Sequence, residues 1–293
     1  MRSSWSTSFE RERACCRSAP DDGHARRPVR HLTDADCVAF LQWALPRLGL
    51  HWPGFRRVRR QVCKRIARRA HELGVSPREL SRDELAALCT VTISRFYRDR
   101  AVFDCLGAQV LPALAKAALA RGATALDCWS AGCASGEEPY TLSIQWRATL
   151  APRFPALALR VLGTDVDATL LERARSACYN ASSLKELPAS WRSQAFDRHA
   201  RLFCLREDYR RAIEFERRDL LAEPPRRQFD LILCRNLAFT YFGPELARGA
   251  LARITAQLLP GGALVIGVHE RLPENNAAFA AWPGCRAIYQ KAA

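Results

Sequence analysis

The 293-residue sequence lacks several patterns that would assign a protein class at once. No apolar run approaches the ~18 residues that cross a membrane, so membrane insertion is not expected. Residues 1–30 contain no apolar stretch of the kind that a secretory signal requires, and we interpret them as a disordered leader. The twelve cysteines include no CxxC pair, which is the common zinc-binding spacing. No metal site is therefore predicted.

The positions of the cysteines also argue against a disulfide scaffold, because several of them stand inside apolar runs. Cys105, Cys128, Cys204 and Cys234 are examples. Buried cysteines of this kind behave as small apolar residues in reducing compartments. We therefore expect buried reduced thiols and a cytoplasmic protein.

Acidic residues are few relative to basic ones, with 30 Asp and Glu against 45 Lys and Arg and a net charge of +15. Such an excess favours an acidic partner, which could be nucleic acid, a membrane surface or an acidic protein. The charge is most concentrated in residues 56–69, which hold eight basic side chains and no acidic one. Val58, Val62 and Ile66 recur there at four-residue spacing, which predicts a helix with one apolar stripe and a cationic face.

Two parts are predicted along the chain. Residues 31–121 have helical periodicity, with capping residues Thr33 and Ser81. Residues 122–293 alternate short apolar strands with helices, which is typical of an α/β doubly wound parallel sheet. In such a sheet the ligand lies at the carboxyl ends of the strands.

The loop "WSAGCASGEEPYT" follows the first predicted strand and lacks two nucleotide-binding patterns. It has no GK[ST] ending, as a phosphate-binding loop would, and no GxGxxG, as a dinucleotide site would. Gly132 and Gly136 allow close approach of the backbone, and Glu137 adds negative charge. S-adenosylmethionine fits these demands, because it has no phosphate and carries a cationic amino group and a sulfonium. Asp165 ends the second strand, where a ribose would lie.

Several segments resemble the chemotaxis receptor methyltransferases, the CheR family. They are "SAGCASGEEPYTLSI", "GTDVD", "LERARSACY", "FDLILCRN" and "LPGGALVIG", in this order. The resemblance covers about residues 50–290. It implies a helical N-terminal domain, a Rossmann-like methyltransferase domain and a small antiparallel β insert at about 197–218. Family members transfer a methyl group from S-adenosylmethionine to glutamate side chains of chemoreceptors.

The resemblance also implies roles for individual residues. The segment "VTISRFYRD" is similar to the family's cofactor-closing segment, so Thr92, Ser94 and Arg98 should touch the cofactor or the acceptor. Glu137 would hold the methionine amino group of the cofactor. Asp165 would hold its ribose.

Further positions come from the strands that follow. Asp219 and Leu220 would flank the adenine, and Arg235 and Asn236 would line the same pocket. Tyr241 is similar to a family tyrosine near the reacting methyl group, so it joins Arg98 as a predicted catalytic residue. The family's common Gly-His-Ser-Glu-Asn is replaced here by "GVHERLP", which could alter the acceptor pocket.

The favoured acceptor is an acidic helical protein such as the cytoplasmic bundle of a chemoreceptor, docked on basic helix 56–69. Two alternatives stay open. One is methyl transfer to nucleic acid or a small molecule. It is disfavoured because the chain has "CRNLAF" where amino-directed nucleic-acid enzymes place an Asp/Asn-Pro-Pro-aromatic run. The other is a non-catalytic module that binds S-adenosylmethionine.

Overall fold

A computed structural model describes residues 33–274 and 276–292, and the chain from Thr33 onward forms one compact unit. The leader predicted for residues 1–30 lies outside the described residues. The predicted boundary at residue 121 falls between the last N-terminal helix and the first strand. The division into two functional domains stays a prediction.

The first described part of the chain is helical, as its periodicity predicts. Thr33 and Ser81 both form capping boxes, in which each hydroxyl accepts a backbone N–H and a carboxylate three residues later returns the bond. Apolar side chains of four helices, among them Leu41, Phe55, Ile66 and Leu85, meet in one buried cluster. The helices are α1 (Asp34–Arg47), α2 (Trp52–Phe55), α3 (Arg59–Leu73), α4 (Arg82–Leu88), α5 (Arg100–Cys105) and α6 (Leu111–Ala120).

Helix α3 contains most of the predicted basic segment. Val62 and Ile66 are fully buried, which confirms the apolar stripe. Part of its charge is neutralised within the fold. Arg59 and Arg60 both pair with Asp34, and the resulting hydrogen bonds lower the pKa of that carboxyl to about 2. The cationic face is therefore smaller than the sequence indicates. Among the described residues, Arg56, Arg57 and Lys64 have no ion pair.

The central sheet has seven strands in the order β6-β2-β1-β7-β8-β10-β9. The first five of these are parallel, and β10 runs antiparallel to both neighbours. This arrangement confirms the predicted doubly wound α/β class. The strands are β1 (Ala125–Ala131), β2 (Ala158–Asp165), β6 (Ile213–Arg217), β7 (Phe229–Leu233), β8 (Leu258–Val265), β9 (Phe279–Ala281) and β10 (Ile288–Lys291).

Both faces of the sheet are covered by apolar clusters. Successive side chains of a strand point to opposite faces, so each strand contributes to both clusters. On β1, Leu126 and Cys128 belong to one apolar cluster, whereas Trp129 and Ala131 belong to the other. The remaining helices are α7 (Glu137–Gln145), α8 (Ala168–Ser176), α9 (Ala189–Ala195), α10 (Glu207–Arg210), α11 (Ala238–Tyr241) and α12 (Pro244–Gln257).

The antiparallel insert lies earlier in the chain than predicted. It is a three-stranded sheet of β3 (Cys178–Asn180), β5 (Leu202–Leu205) and β4 (Phe196–His199). The segment "RAIEFERRDL", assigned to the insert from sequence, instead forms β6 and pairs in parallel with β2. The bounds 197–218 are therefore wrong. The side chains of β6 are half-buried or exposed, as expected for an edge strand. An edge strand of a large sheet has the same sequence pattern as a strand of a small hairpin.

The expectation of reduced thiols is also wrong for six cysteines. Disulfides join Cys37 to Cys63, Cys105 to Cys285, and Cys178 to Cys204. Partners lie 26 or 180 positions apart, so sequence spacing gave no sign of them. Cys128 and Cys234 are free and buried, as expected.

The helical run Arg100–Ala120 is long and apolar enough by composition to cross a membrane. Half of its apolar window is buried inside the fold, and Phe103, Leu106 and Leu114 belong to the core beneath the sheet. Its hydropathy is explained by this packing.

Candidate functional site

A cavity of about 380 Å³ lies at the carboxyl ends of β1, β2 and β7. Strand order reverses between β1 and β7, which is where doubly wound folds bind their ligands. Its volume is within the range of small-molecule sites. The rest of the lining comes from the N-terminal part, from Leu48, Leu50 and Phe55 and from the non-helical segment between α4 and α5, namely residues 89–95 and Arg98. Both parts of the described chain therefore build the site.

The glycine loop after β1 forms the floor of the cavity. Gly132, Ala134 and Gly136 all have positive φ, at 76°, 48° and 89°. A Cβ on Gly132 would stand 2.5 Å from Leu237 Cδ2, so this position needs glycine for space as well as for conformation. The Ala134 N–H donates to Asp165 Oδ2 at 2.9 Å, which ties the loop to the end of β2.

The two glutamates that follow the loop have different positions. Glu138 lines the cavity, where it accepts a hydrogen bond from Ser130 and pairs with Arg235 at 3.0 Å. Glu137 is buried just behind the lining, and its carboxylate accepts from the Ser135 hydroxyl at 3.0 Å. Burial raises the pKa of Glu137, although hydrogen bonds from its own backbone, Ser135 and Ser94 oppose that shift. The predicted contact of Glu137 with an amino group stays a prediction.

The end of β2 presents a carboxylate and an apolar side chain to the cavity. Asp165 accepts the backbone N–H groups of Ala134 and Asp167, and burial raises its pKa. Val166 also lines the cavity and is 49% exposed. An apolar side chain left open beside a carboxylate suits the edge of a nucleoside. Leu220 faces the same space after β6, beside the exposed Asp219.

Arg98 projects into the cavity from the segment between α4 and α5. Its Nη1 donates to the Ile93 carbonyl at 2.7 Å and its Nη2 to Asn236 Oδ1 at 3.2 Å. No carboxylate lies within 4.0 Å of this guanidinium among the residues that the structure describes. Tyr97 and Asp99, on either side, have φ of 57° and 61°. Two neighbours in the left-handed region indicate that the surrounding fold fixes this backbone.

Arg235 has a different role from Arg98. Its side chain is only 2% exposed and pairs with Asp99 at 2.7 Å and with Glu138 at 3.0 Å. The same guanidinium donates to the Arg98 carbonyl at 2.8 Å. Because Asp99 is already paired with Arg235, Arg98 has no charged partner among the described residues.

Tyr241 closes the side of the cavity next to the helical part. Its ring packs against Phe55 with centroids 5.1 Å apart, and its carbonyl accepts the His51 N–H at 2.7 Å. Gly54 faces this segment so closely that a Cβ would stand 2.1 Å from the Thr240 carbonyl oxygen. The tyrosine is therefore held by backbone contacts between the two parts.

Most of the residues predicted from sequence meet at this cavity, and Glu137 is the exception. The lining includes Thr92, Ser94, Arg98, Asp165, Asp219, Leu220, Arg235, Asn236 and Tyr241. Sequence reasoning missed Glu138 and Val166 as lining residues, although each adjoins a predicted one. It also missed Glu270, which lies in the "GVHERLP" segment and contacts the backbone of Asn236.

The chemistry of the lining fits S-adenosylmethionine. The carboxylates of Asp165 and Asp219 can accept hydrogen bonds from ribose hydroxyls and can attract a cation. Val166 and Leu220 supply apolar surface for a base. The fold and the site together define the class of S-adenosylmethionine-dependent methyltransferases.

Comparison with known proteins narrows this class. The family profile described as "CheR methyltransferase, SAM binding domain" matches residues 92–288. The chain is similar to a chemotaxis protein methyltransferase of Listeria innocua, with 35% identity over 190 residues, 65% of this chain and 69% of the other. It is also similar to a probable chemotaxis protein methyltransferase of Rhizobium etli, with 31% identity, 69% of this chain and 76% of the other. The chain belongs to the CheR methyltransferase family.

Among solved structures, one similar chain is the N-methyltransferase NodS of Bradyrhizobium japonicum in complex with S-adenosyl-L-homocysteine. The TM-score is 0.31 at 20% identity, over 64% of this chain and 68% of that one.

Proposed function

We propose that this enzyme converts glutamate carboxylates of an acidic helical protein, of the chemoreceptor type, into methyl esters. The names of the relatives in Listeria innocua and Rhizobium etli support a role in chemotaxis. A cytoplasmic location follows from such an acceptor. The observation that carries the proposal is the state of Arg98, a guanidinium at the cavity whose neighbouring acid Asp99 is already paired with Arg235.

The Arg98 side chain suits a carboxylate acceptor. A guanidinium can donate two parallel hydrogen bonds to a carboxylate and so fix its direction. Two of its donors are used by Ile93 and Asn236, which hold the group in place and leave others for the acceptor. Tyr241 lies on the same side of the cavity, where burial raises its pKa and Arg98 opposes that shift. It therefore stays a neutral hydroxyl, able to donate a hydrogen bond.

The reaction asks little acid–base chemistry of the protein. S-adenosylmethionine, when bound, supplies a methyl group on a sulfonium centre. A glutamate carboxylate has a reference pKa of about 4.3, so it is already a nucleophile at neutral pH and needs no general base. What the protein contributes is orientation, which can supply roughly 7–11 kcal/mol of the barrier, and exclusion of water. Arg98 would orient the acceptor, and Glu138 and Asp165 would hold the cofactor.

The basic face beside the cavity supports an acidic acceptor. Arg56, Arg57 and Lys64 are exposed and have no ion pair among the described residues. Arg65, on the same helix, donates to the Thr90 carbonyl at 2.6 Å, and Thr90 lines the cavity. A helix rich in glutamate that docks on this face would thus be close to the cavity mouth. Complementary charge of this kind mainly raises the rate of association.

The test is transfer of radiolabelled methyl from S-adenosylmethionine to a purified chemoreceptor signalling domain, followed by mild alkali. Label released as methanol identifies carboxyl methyl esters. Replacement of the receptor's methylatable glutamates by alanine should abolish the labelling. Alkali-stable label, or label found only in nucleic acid or small molecules, would overturn the proposed acceptor and leave the family assignment intact.

A further inference from the structure

Glu270 is a buried carboxylate to which the proposed reaction assigns no role. It follows β8 in the segment "GVHERLP" and is 8% exposed. Within the described part of the chain, no Lys, Arg or His lies within 4.0 Å of its oxygens. Burying a charged group without an ion pair is costly, and burial raises the pKa of Glu270. A carboxylate kept in such a place must be held by hydrogen bonds.

Two of the three hydrogen bonds that Glu270 accepts come from the segment 236–240, which contributes Asn236 and Leu237 to the cavity, and the third comes from Gly267 after β8. Its Oε1 accepts from the Thr240 hydroxyl at 2.6 Å. Its Oε2 accepts from the Asn236 N–H at 2.9 Å and from the Gly267 N–H. The carboxylate therefore links the start and the end of the segment 236–240 to the end of β8.

The hydrogen bond from the Asn236 N–H to Glu270 holds a residue that also contacts Arg98. Its φ of 55° places it in the left-handed region, which a residue other than glycine rarely adopts without support. Its backbone N–H is held by Glu270, and its side-chain oxygen accepts from Arg98 at 3.2 Å. Glu270 thus fixes the backbone from which Asn236 reaches the Arg98 guanidinium.

Gly267 shows that the space around this contact leaves no room for a side chain. A Cβ at Gly267 would stand 2.8 Å from Glu270 Oε2 and 3.1 Å from Asn236 Oδ1. Both distances are shorter than ordinary contacts with a methyl group. Glycine at this position therefore lets the carboxylate and the amide lie side by side.

We propose that Glu270 is a positioning residue for methyl transfer, which sets the direction of the Arg98 guanidinium through Asn236. This inference rests on the proposed function, because it assigns to Arg98 the orientation of the acceptor carboxylate. Three donors converge on two oxygens, so the ionised carboxylate is the form that satisfies them all. The role of Glu270 is geometric, since it contacts neither the cavity nor the acceptor directly.

The first test is Glu270→Gln in the full chain, with Glu274→Gln as the matched control on an exposed residue four positions further along. Glutamine preserves shape but replaces one acceptor oxygen by a donor, so one of the three hydrogen bonds is lost or reversed. We expect kcat for receptor esterification to fall about tenfold or more, with the affinity for S-adenosylhomocysteine within about twofold of wild type. Unchanged kcat would overturn the proposal.

A double-mutant cycle separates positioning from a general loss of structure. If Glu270 acts through Arg98, the Glu270→Gln change should lower kcat by less than about twofold in an Arg98→Lys background. An equal further loss in both backgrounds would contradict the role. If Glu270→Gln does not fold, Thr240→Val removes a single donor to the same carboxylate. It should lower kcat by a smaller factor at unchanged cofactor affinity, and an unchanged kcat in this variant would overturn the proposal.

Amide hydrogen exchange provides a readout that does not depend on the acceptor. Glu270→Gln should speed exchange in residues 235–241 and leave the strands of the sheet unaffected. Unchanged exchange there would overturn the inference whichever acceptor is correct. A wild-type enzyme that esterifies no glutamate would instead overturn the proposed function, so the two failures are distinguishable.

Discussion

Arg98 donates to the side-chain oxygen of Asn236 at 3.2 Å, although the two residues are 138 positions apart in the chain. Arg98 belongs to the segment that leads out of the helical part, and Asn236 follows β7 of the sheet. Their contact bridges the cavity between these two parts. Closure over a bound cofactor and orientation of an acceptor would therefore depend on the same hydrogen bond.

Replacing Arg98 by lysine should separate catalysis from cofactor binding. Lysine keeps the charge but cannot span Ile93 and Asn236 while donating two further hydrogen bonds to a carboxylate. We expect kcat to fall about hundredfold, with the dissociation constant of S-adenosylhomocysteine within about threefold of wild type. Arg100→Lys is the control, because Arg100 is exposed and does not line the cavity. Equal losses of kcat and affinity in Arg98→Lys would remove its orienting role.

Asp165→Asn should lower cofactor affinity, in contrast to Arg98→Lys, which should lower kcat. The carboxylate accepts the backbone N–H groups of Ala134 and Asp167, and it would also accept ribose hydroxyls. An amide can offer only one acceptor oxygen, so affinity for S-adenosylhomocysteine in calorimetry should fall about tenfold or more. Asp167→Asn, which retains an oxygen for the cap of α8, should bind normally. Equal affinities in the two variants would exclude Asp165 from the ribose site.

Cofactor binding should weaken in mild acid. Burial raises the pKa values of Asp165 and Glu137, so both carboxyls gain protons at a higher pH than exposed acids do. A neutral carboxyl at Glu137 would no longer attract the cationic amino group of the cofactor, and a neutral carboxyl at Asp165 would accept fewer hydrogen bonds. We expect the affinity for S-adenosylhomocysteine to decrease as the pH falls, starting at a higher pH than exposed carboxyls alone would give.

The free energy of unfolding should change with pH in the opposite direction to the cofactor affinity. Because the folded-state pKa values are raised, the folded protein binds protons more tightly than the unfolded chain, so these two groups increase the free energy of unfolding as pH falls. Melting curves recorded at each pH would show whether affinity is lost before the fold. Loss of affinity that merely follows unfolding would contradict the prediction.

Charge reversal on the basic face should affect the acceptor alone. Replacing Arg56, Arg57 and Lys64 by glutamate should raise the KM for a chemoreceptor domain about tenfold at low salt and flatten its dependence on ionic strength. The matched control compares Lys64→Glu with Lys116→Glu on α6, because each single change reverses one exposed charge. A KM that responds equally to both changes would show that only net charge matters, and docking on this face would be rejected.

Gly54→Ala should destabilise the contact between the helical part and the Tyr241 segment. The new methyl group would stand 2.1 Å from the Thr240 carbonyl oxygen, and backbone on both sides leaves little room to move. We expect a loss of about 1–3 kcal/mol in the free energy of unfolding by urea. Gly249→Ala in α12 is the matched control, because its Cβ would meet only the flexible end of Arg253. Equal stability of the two variants would contradict the close approach.

Local patterns in the sequence predicted much of the fold. Capping at Thr33 and Ser81, the buried stripe on α3 and the alternation of strands and helices depend on residues near one another in the chain, and the structure confirms them. The pairing of β6 could not be predicted in the same way. A half-buried strand has one pattern whether it joins a large sheet or a small one, and only the position of β2 decides.

At the site, too, local patterns predicted individual residues but not their pairing. Asp165 and Arg98 were predicted from sequence motifs, and both line the cavity. The pairing of Asp99 with Arg235, and the hold of Glu270 on Asn236, join residues 136 and 34 positions apart. The family resemblance placed Arg235 and Asn236 at the pocket, but no local pattern indicated that Asp99 or Glu270 would bind them. Their roles follow from packing that a single sequence does not display.

Phe96 gives the small antiparallel sheet a relevance beyond its own three strands. Its ring stands edge-on to Tyr179 and Phe196, and its N–H donates to the Ser183 carbonyl at 3.0 Å. Arg98 lies two residues further along the same backbone. A displacement of the small sheet would therefore reach the Arg98 segment through the side chain and backbone of Phe96. Substitutions in the small sheet would thus be constrained by the position of Arg98 as well as by the packing of the sheet itself.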